Sequence, residues 1–324
     1  KNRIEGKITK VLKRSYYKFI GTIKSHGQDA FFIPENIKVG SHFFIPKNKL
    51  NNAISNNRVI VEFSDWPLSA KNPFGRVTKV LPESNTLKQE IENNIDLFNL
   101  RNNFNTKIKK ELEDISINTA LGDLKNRKDF RKHTTFTIDP VDAKDFDDAL
   151  SLKISNSGII KIGIHIADVG HYIPVNSEID KEAFLRAFSV YFPGKVIPMI
   201  PEKLSNQICS LNPGQDKLCF SVVVDFEQRT RQIKSTWIGK TIINSNKRFT
   251  YEEAENIIIK KVDSDFEAEI QMANNIAQTL REARIKNGSI DFERNNISFK
   301  LNKYQEPIDI FQSESLSAHK LIEE

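Results

Sequence analysis

Five aspartates fall within ten residues of the stretch TIDPVDAKDFDDALS: Asp139, Asp142, Asp145, Asp147 and Asp148. Like charges this close disfavour one another's ionised form. Aspartate is also a poor strand former, yet strand-like sequence flanks the cluster on both sides. Four of the five stand at D-x5-D-x-DD, with Asp142 the odd one out. Carboxylate oxygens are the hard ligands that Mg²⁺ or Mn²⁺ prefers. A loop between two strands can turn several of them towards one point. Two ions about 4 Å apart can then activate a water on one side and stabilise a leaving oxygen on the other. An EF-hand does not fit, because counting from Asp139 there is no Gly at the sixth position and Leu150 holds the twelfth. An exposed acidic turn would account for one or two acids, not for five.

The elements around the cluster follow from hydrophobic period. TTFTI reads as the strand entering it and ALSLKI as the strand leaving it, with Leu150, Leu152 and Ile154 on one face. NSG at 156–158 turns the chain back into IIKIGIHIADV, where Ile160, Ile162, Ile164 and Ile166 share a face. Ser177 with Asp180, and Thr250 with Glu253, have the spacing of helix N-terminal capping. DFEAEIQMANNIAQTLREARIKNG reads as a long helix ended by Gly288. Residues 134–324 are therefore expected to form a mixed α/β domain. Residues 83–133 carry apolar residues at helical spacing and read as a helical connector. Residues 1–82 hold five or six short β-type runs separated by Gly, Asn, Pro and Ser, which suits a small barrel.

The 324-residue chain carries a net charge of +6, unevenly spread. Residues 1–82 have fifteen Lys and Arg against five Asp and Glu, so the remainder is acidic by about four charges. A basic domain joined to an acidic one suggests a polyanion held by the first and processed by the second. Phe19, Phe31, Phe32, Phe43, Phe44 and Trp66 are interleaved with Lys18, Lys24, Lys47 and Lys49. That composition suits a single-strand-binding groove, with DNA or protein as the alternative partners. Strand alternation assigns one phenylalanine of each adjacent pair to the core. No run of eighteen apolar residues exists, so no membrane partner is expected. Cys209 and Cys219 lack zinc-ligand spacing and are expected as reduced thiols in a cytoplasmic protein. The first residues lack an initiator Met, and the last read as a helix stopped in mid-course, so a fragment is expected.

TFTIDPVDAKDFDDALS followed by GIHIADVGHYI resembles the catalytic domain of the RNB (ribonuclease II/R) family. The likeness continues through SVYFPGKVIPMIPEKLSNQICSLNPGQDKLCFSV, RFTYEEAENII, GSIDF and SAHKLIEE. EGKITKVLKRSYYKFIGTIKS and FFIPKNKL resemble a cold-shock-type OB domain, and SVYFPGKVIPM has the wording of the ribonuclease R branch. The resemblance implies a processive, hydrolytic 3′-to-5′ exoribonuclease that releases nucleoside 5′-monophosphates. Its partner would be single-stranded RNA with a free 3′ end, its cofactor Mg²⁺ with Mn²⁺ the alternative. It implies a monomer and puts the ribosome and RNA-decay factors among candidate partners. The fold expected is multidomain: an OB barrel at 1–82, the connector at 83–133 and part of an RNB domain at 134–324.

Carried over by motif, Asp139, Asp145, Asp147 and Asp148 are the catalytic and metal-holding aspartates. Asp147 matches the one whose loss most damages catalysis while sparing RNA binding. Tyr191 matches the tyrosine that stacks on the 3′-terminal base, although VYF is equally a good core strand. Phe292 matches the phenylalanine that completes that clamp. Glu323 or Glu324 matches a sugar-contacting glutamate, with Glu324 the candidate carried forward. His165, opposite the isoleucines, reads as structural, and neither it, His171 nor Asp168 is assigned a catalytic step. A Ser–His–Asp hydrolase lacks its nucleophile elbow. The competing reading is an RNA-binding fragment without turnover, because the family also needs an arginine and acidic residues from the second half of its domain.

Overall fold

The computed structural model describes residues 9, 11–14, 16–26, 29–82, 86–115, 121–155, 158–290, 296–304, 306–313 and 315–324. It divides into two compact units, Lys1–Asn102 and Asn103–Glu324.

The first unit is a closed barrel of β1 (Lys18–His26), β2 (Asp29–Pro34), β3 (Phe43–Ile45), β4 (Arg58–Asp65) and β5 (Phe74–Val80), in the order β1-β2-β3-β5-β4. Alternation splits the paired phenylalanines as the strand period requires. Phe32 and Phe43 are buried with Ile23, Ile45, Val59, Val61 and Val77. Phe31 and Phe44 point the other way, their rings 5.7 Å apart, and Phe74 continues the row at 5.3 Å from Phe44. Gly21 leaves no room for a side chain between β1 and β2: a Cβ there would lie 2.1 Å from the Ile33 carbonyl oxygen.

The stretch expected as a connector is shared between the units. Helix α1 (Leu87–Phe98), capped by the Thr86 hydroxyl and closed by Asn99 at φ 51°, belongs with the barrel. Lys18 Nζ reaches its C-terminal end at Asp96 O (3.2 Å) and Asn99 Oδ1 (2.6 Å), and Lys79 pairs with Asp96 at 2.6 Å. Lys18 therefore spends its donors on α1. Helix α2 (Thr106–Asp114) belongs to the second unit and buries Ile108 there.

That unit is built on a seven-stranded mixed sheet. Its strands are β6 (Lys128–Asp129), β7 (Thr135–Asp139), β8 (Asp148–Ile154), β9 (Ile159–Ala167), β12 (Asp216–Glu227), β13 (Gln232–Asn244) and β14 (Lys247–Thr250). The order is β14-β7-β8-β9-β12-β13-β6, and the outer pairs β14/β7 and β13/β6 are parallel. Two short hairpins, β10 (Val190–Phe192) with β11 (Lys195–Ile197) and β15 (Asn296–Leu301) with β16 (Pro307–Ser313), stand apart from it. Each face buries its own core. Leu152, Ile160 and Phe226 face α4 (Tyr251–Ile258), α5 (Glu267–Lys286) and α6 (Ser317–Glu323). Ala149, Ala167, Cys219 and Val223 face α2, α3 (Glu178–Arg186) and the π-helical turn Lys203–Ile208.

The local signals are where the sequence put them. Gly158, at φ 79°, closes the β8–β9 hairpin. Thr250 and Glu253 exchange both bonds of a capping box, and the Ser177 hydroxyl accepts the Asp180 amide. Gly288, at φ 96°, follows α5. Both cysteines are buried and free. Among the described residues no helix is long and apolar enough to cross a membrane.

Candidate active site

The aspartates occupy the place where β7 and β8 part company. The two strands pair at Thr135–Ser151 and Phe136–Leu150, and then the chain loops out between Asp139 and Asp148. Asp139 is the last residue of β7 and is buried, lying in register with Thr250 of the parallel strand β14. Asp148 opens β8 opposite Ile166, and the Asp147 carbonyl accepts the Ala167 amide at 2.9 Å. Asp145 lies half-buried in the loop, and Asp142 is exposed.

The loop is held from outside. The Ser210 hydroxyl accepts from the Phe146 amide (3.0 Å) and donates to the Lys144 carbonyl (3.1 Å), while Leu211 N–H donates to Phe146 O (2.9 Å). Ser210 follows the π-helical turn, whose Gln207 and Ile208 carbonyls accept from the buried Lys217 ammonium. On the other side, Arg248 of β14 donates from Nη2 to Pro140 O, and its guanidinium carbon lies 5.5 Å from the centre of the Phe146 ring.

Electrostatically the site is starved of positive charge. Burial, chiefly, pushes the Asp139 carboxyl up to about 6, with Asp148 and Asp147 adding repulsion and Arg248 opposing it. The Thr137 hydroxyl also acts to lower it, although its Oγ1 meets no hydrogen-bond geometry. Asp139 Oδ2 is buried with no partner. Asp147 is raised by desolvation and then by Asp145 and Asp148, even though much of its surface is open to solvent. Burial raises Asp148 as well. A buried carboxylate with an orphaned oxygen, repelled by less buried neighbours of the same charge, is part of the donor set a hard cation would satisfy. Yet among the described residues no group of three or more His, Cys, Asp or Glu is gathered closely enough to hold a metal ion. The loop brings Asp139 within electrostatic reach of Asp147 and Asp148, and Asp147 within reach of Asp145 and Asp148, without a closed ligand sphere. Mg²⁺ tolerates this, since it binds through one or two carboxylates and fills the rest with water and phosphate.

Tyr191, in the β10–β11 hairpin, is exposed, which sets aside the core-strand alternative. Its phenol is raised first by partial burial and then by Asp145 and Asp147, so it lies within electrostatic reach of the same loop. Phe292 lies outside the described residues. Glu324 is enclosed by Arg281 (3.3 Å) and Arg284, whereas the charge on Glu323 reaches the Tyr251 phenol. Tyr251 itself escaped the sequence reading as a site residue. Its phenol is raised by burial, Asp148, Asp139 and Glu323, and its ring stacks on His319 at 4.1 Å. Arg248 and Tyr251 flank the Thr250 cap, and all three of Arg248, Ser210 and Tyr251 lie in stretches that carry the family resemblance, but none has a local signal of a role at the site.

His165 is structural. It is fully buried, with Nε2 on the Ser151 hydroxyl (2.8 Å) and Nδ1 on Ser221 (2.7 Å), and Ser221 bonds Thr241 in turn. This polar row crosses four strands. Asp168 pairs with the buried Arg127 at 2.6 Å, and Arg127 also binds the Cys219 and Thr241 carbonyls. The pair anchors the end of β9 beside Asp147.

The model of the RNB domain matches residues 127–324, and that of the cold shock domain matches residues 31–105. Ribonuclease R of Thermotoga maritima is 34% identical over 98% of this chain and 46% of its own length. Among solved structures, Mycoplasma genitalium RNase R in complex with ribose-methylated single-stranded RNA superposes with a TM-score of 0.80 at 25% identity, over 97% of this chain and 50% of the other. Yeast Ssd1, a pseudonuclease, shares the fold at a TM-score of 0.70 and 22% identity, over 85% of this chain and 35% of its own. The chain spans about half the length of the curated relatives it matches. With more than half of its residues matched by one family model, and an aspartate loop set between β7 and β8, the chain belongs to the RNB family.

Proposed function

We propose that the chain carries the aspartate site and RNA-guiding barrel of a hydrolytic, processive 3′-to-5′ exoribonuclease. Its substrate is single-stranded RNA with a free 3′ end, and its products are nucleoside 5′-monophosphates. The observation that carries this reading is the buried strand-end carboxylate of Asp139, which has an unpartnered oxygen and is raised first by burial and then by Asp148 and Asp147. Asp139, Asp145, Asp147 and Asp148 would hold Mg²⁺ or Mn²⁺. When bound, the ion supplies charge neutralisation and an acidified water beside the scissile phosphate. Tyr191 offers an exposed ring for the terminal base, and Phe292 is its proposed partner. Glu324 is the proposed sugar contact. The row Phe31–Phe44–Phe74 offers a stacking surface for upstream bases. The relative from Mycoplasma genitalium, described in complex with single-stranded RNA, supports that substrate class. A cytoplasmic monomer that meets the ribosome or decay factors belongs to the same reading.

The second reading, RNA binding without turnover, is favoured by the lack of a three-ligand group among the described residues. The two are separated by incubating 3′-hydroxyl single-stranded RNA and Mg²⁺ with the chain, with a longer protein that contains it, and with Asp147→Asn in each. Mononucleotides abolished by the substitution, with RNA retention unchanged, are expected from the longer protein. Activity indifferent to Asp147→Asn would sink the site assignment. Absence of mononucleotides everywhere would leave the binding reading.

A further inference from the structure

Among the described residues, four buried side-chain atoms meet no hydrogen-bond partner, and three of them lie on two adjacent strands. They are Thr137 Oγ1 and Asp139 Oδ2 on β7 and Arg248 Nε on β14. The parallel register sets Arg248 beside Thr137 and Thr250 beside Asp139. From there Arg248 reaches both flanks of the aspartate loop. Its Nη2 donates to Pro140 O, immediately after Asp139. Its guanidinium carbon lies 5.5 Å from the ring of Phe146, immediately before Asp147. A planar fork can make both contacts at once while presenting a further N–H, and a lysine ammonium cannot.

We propose that Arg248 is a positioning residue that fixes the span of the aspartate loop, holding Asp139 at one end and Asp147 and Asp148 at the other at the separation the scissile phosphate requires. Its catalytic consequence rests on the exoribonuclease reading; its geometric claim does not. Ser210 and Leu211 hold the Lys144–Phe146 backbone independently, so removal of Arg248 frees chiefly the Pro140 end and the Phe146 ring, not the whole segment.

The test compares Arg248→Lys, Arg248→Gln and Phe146→Leu by hydrogen exchange in the chain and, on 3′-hydroxyl RNA, by cleavage in the longer protein that contains it. The Ala143 amide, which donates to Pro140 O, is the reporter. All three variants are expected to exchange about tenfold faster at the loop, with the β9 and β12 amides unchanged. The turnover number should fall on the order of 100-fold at an unchanged KM, and Lys should not rescue it. Wild-type exchange at the loop in Arg248→Lys and Phe146→Leu would overturn the proposal, as would full rescue of turnover by Lys. Should Arg248→Gln fail to fold, those two variants carry the comparison. If the longer wild-type protein does not cleave, the exoribonuclease reading falls alone, and loop exchange still decides the role of Arg248.

Discussion

Ser210 and Phe146, sixty-four residues apart, are joined by the Phe146 amide donating to the Ser210 hydroxyl at 3.0 Å, and that hydroxyl in turn donates a hydrogen bond to the Lys144 carbonyl. One buried hydroxyl thus fixes the backbone just ahead of Asp147. Ser210→Ala leaves both backbone groups unpartnered, and each such group costs about 1–3 kcal/mol when buried. We expect a urea midpoint lowered accordingly, with loop amide exchange accelerated before global unfolding. An unchanged midpoint would show that solvent replaces the hydroxyl.

The Arg127–Asp168 pair is buried on the arginine side, and the same guanidinium holds the Cys219 and Thr241 carbonyls. Removing one partner of a buried pair costs about 3–5 kcal/mol because the other charge is stranded. Arg127→Ala should show that loss in denaturant unfolding. Arg127→Met together with Asp168→Leu should recover a good part of it.

His165 gives the fold an acid limit. Burial, then the charge of His133, lowers its imidazole to about 4, below its ordinary 6.5. A depressed histidine contributes stability that is present above its unfolded pKa and is lost as pH falls from about 6.5 towards 4, here up to about 3 kcal/mol. His165→Asn should be less stable at pH 7 but flatter in its acid dependence, as read by urea unfolding at pH 7 and 4.5. Gly163→Ala should strain the same row, since its Cβ would lie 2.5 Å from Ser151 Oγ and 2.6 Å from His165 Nε2.

Two neighbouring phenylalanines of the barrel should separate folding from binding. Phe43 is buried in the barrel core, and its replacement by Ala should cost about 3–5 kcal/mol of stability. Phe44 belongs to the outer row with Phe31 and Phe74. Phe44→Ala should leave the fold largely intact and weaken single-stranded RNA binding by about 1–3 kcal/mol, measured by fluorescence anisotropy. Equal loss of stability in both variants would remove the stacking role.

Sequence alone determined everything that depends on short-range period and chemistry. Alternation split Phe31 from Phe32 and Phe43 from Phe44, and placed His165 opposite Ile160, Ile162, Ile164 and Ile166. Capping pairs set the starts of α3 and α4, a glycine turn closed β8 onto β9, and aspartate spacing marked the loop. Only the tertiary structure decided that α1 goes with the barrel and α2 with the second unit. It alone set β14 parallel to β7, and so brought Arg248 and Tyr251 to aspartates more than a hundred residues earlier. The physical reason is that a residue's neighbours fix its conformation and the face it shows. Which distant strand it pairs with is chosen by the burial of whole faces, and parallel pairs have no tight turn to announce them.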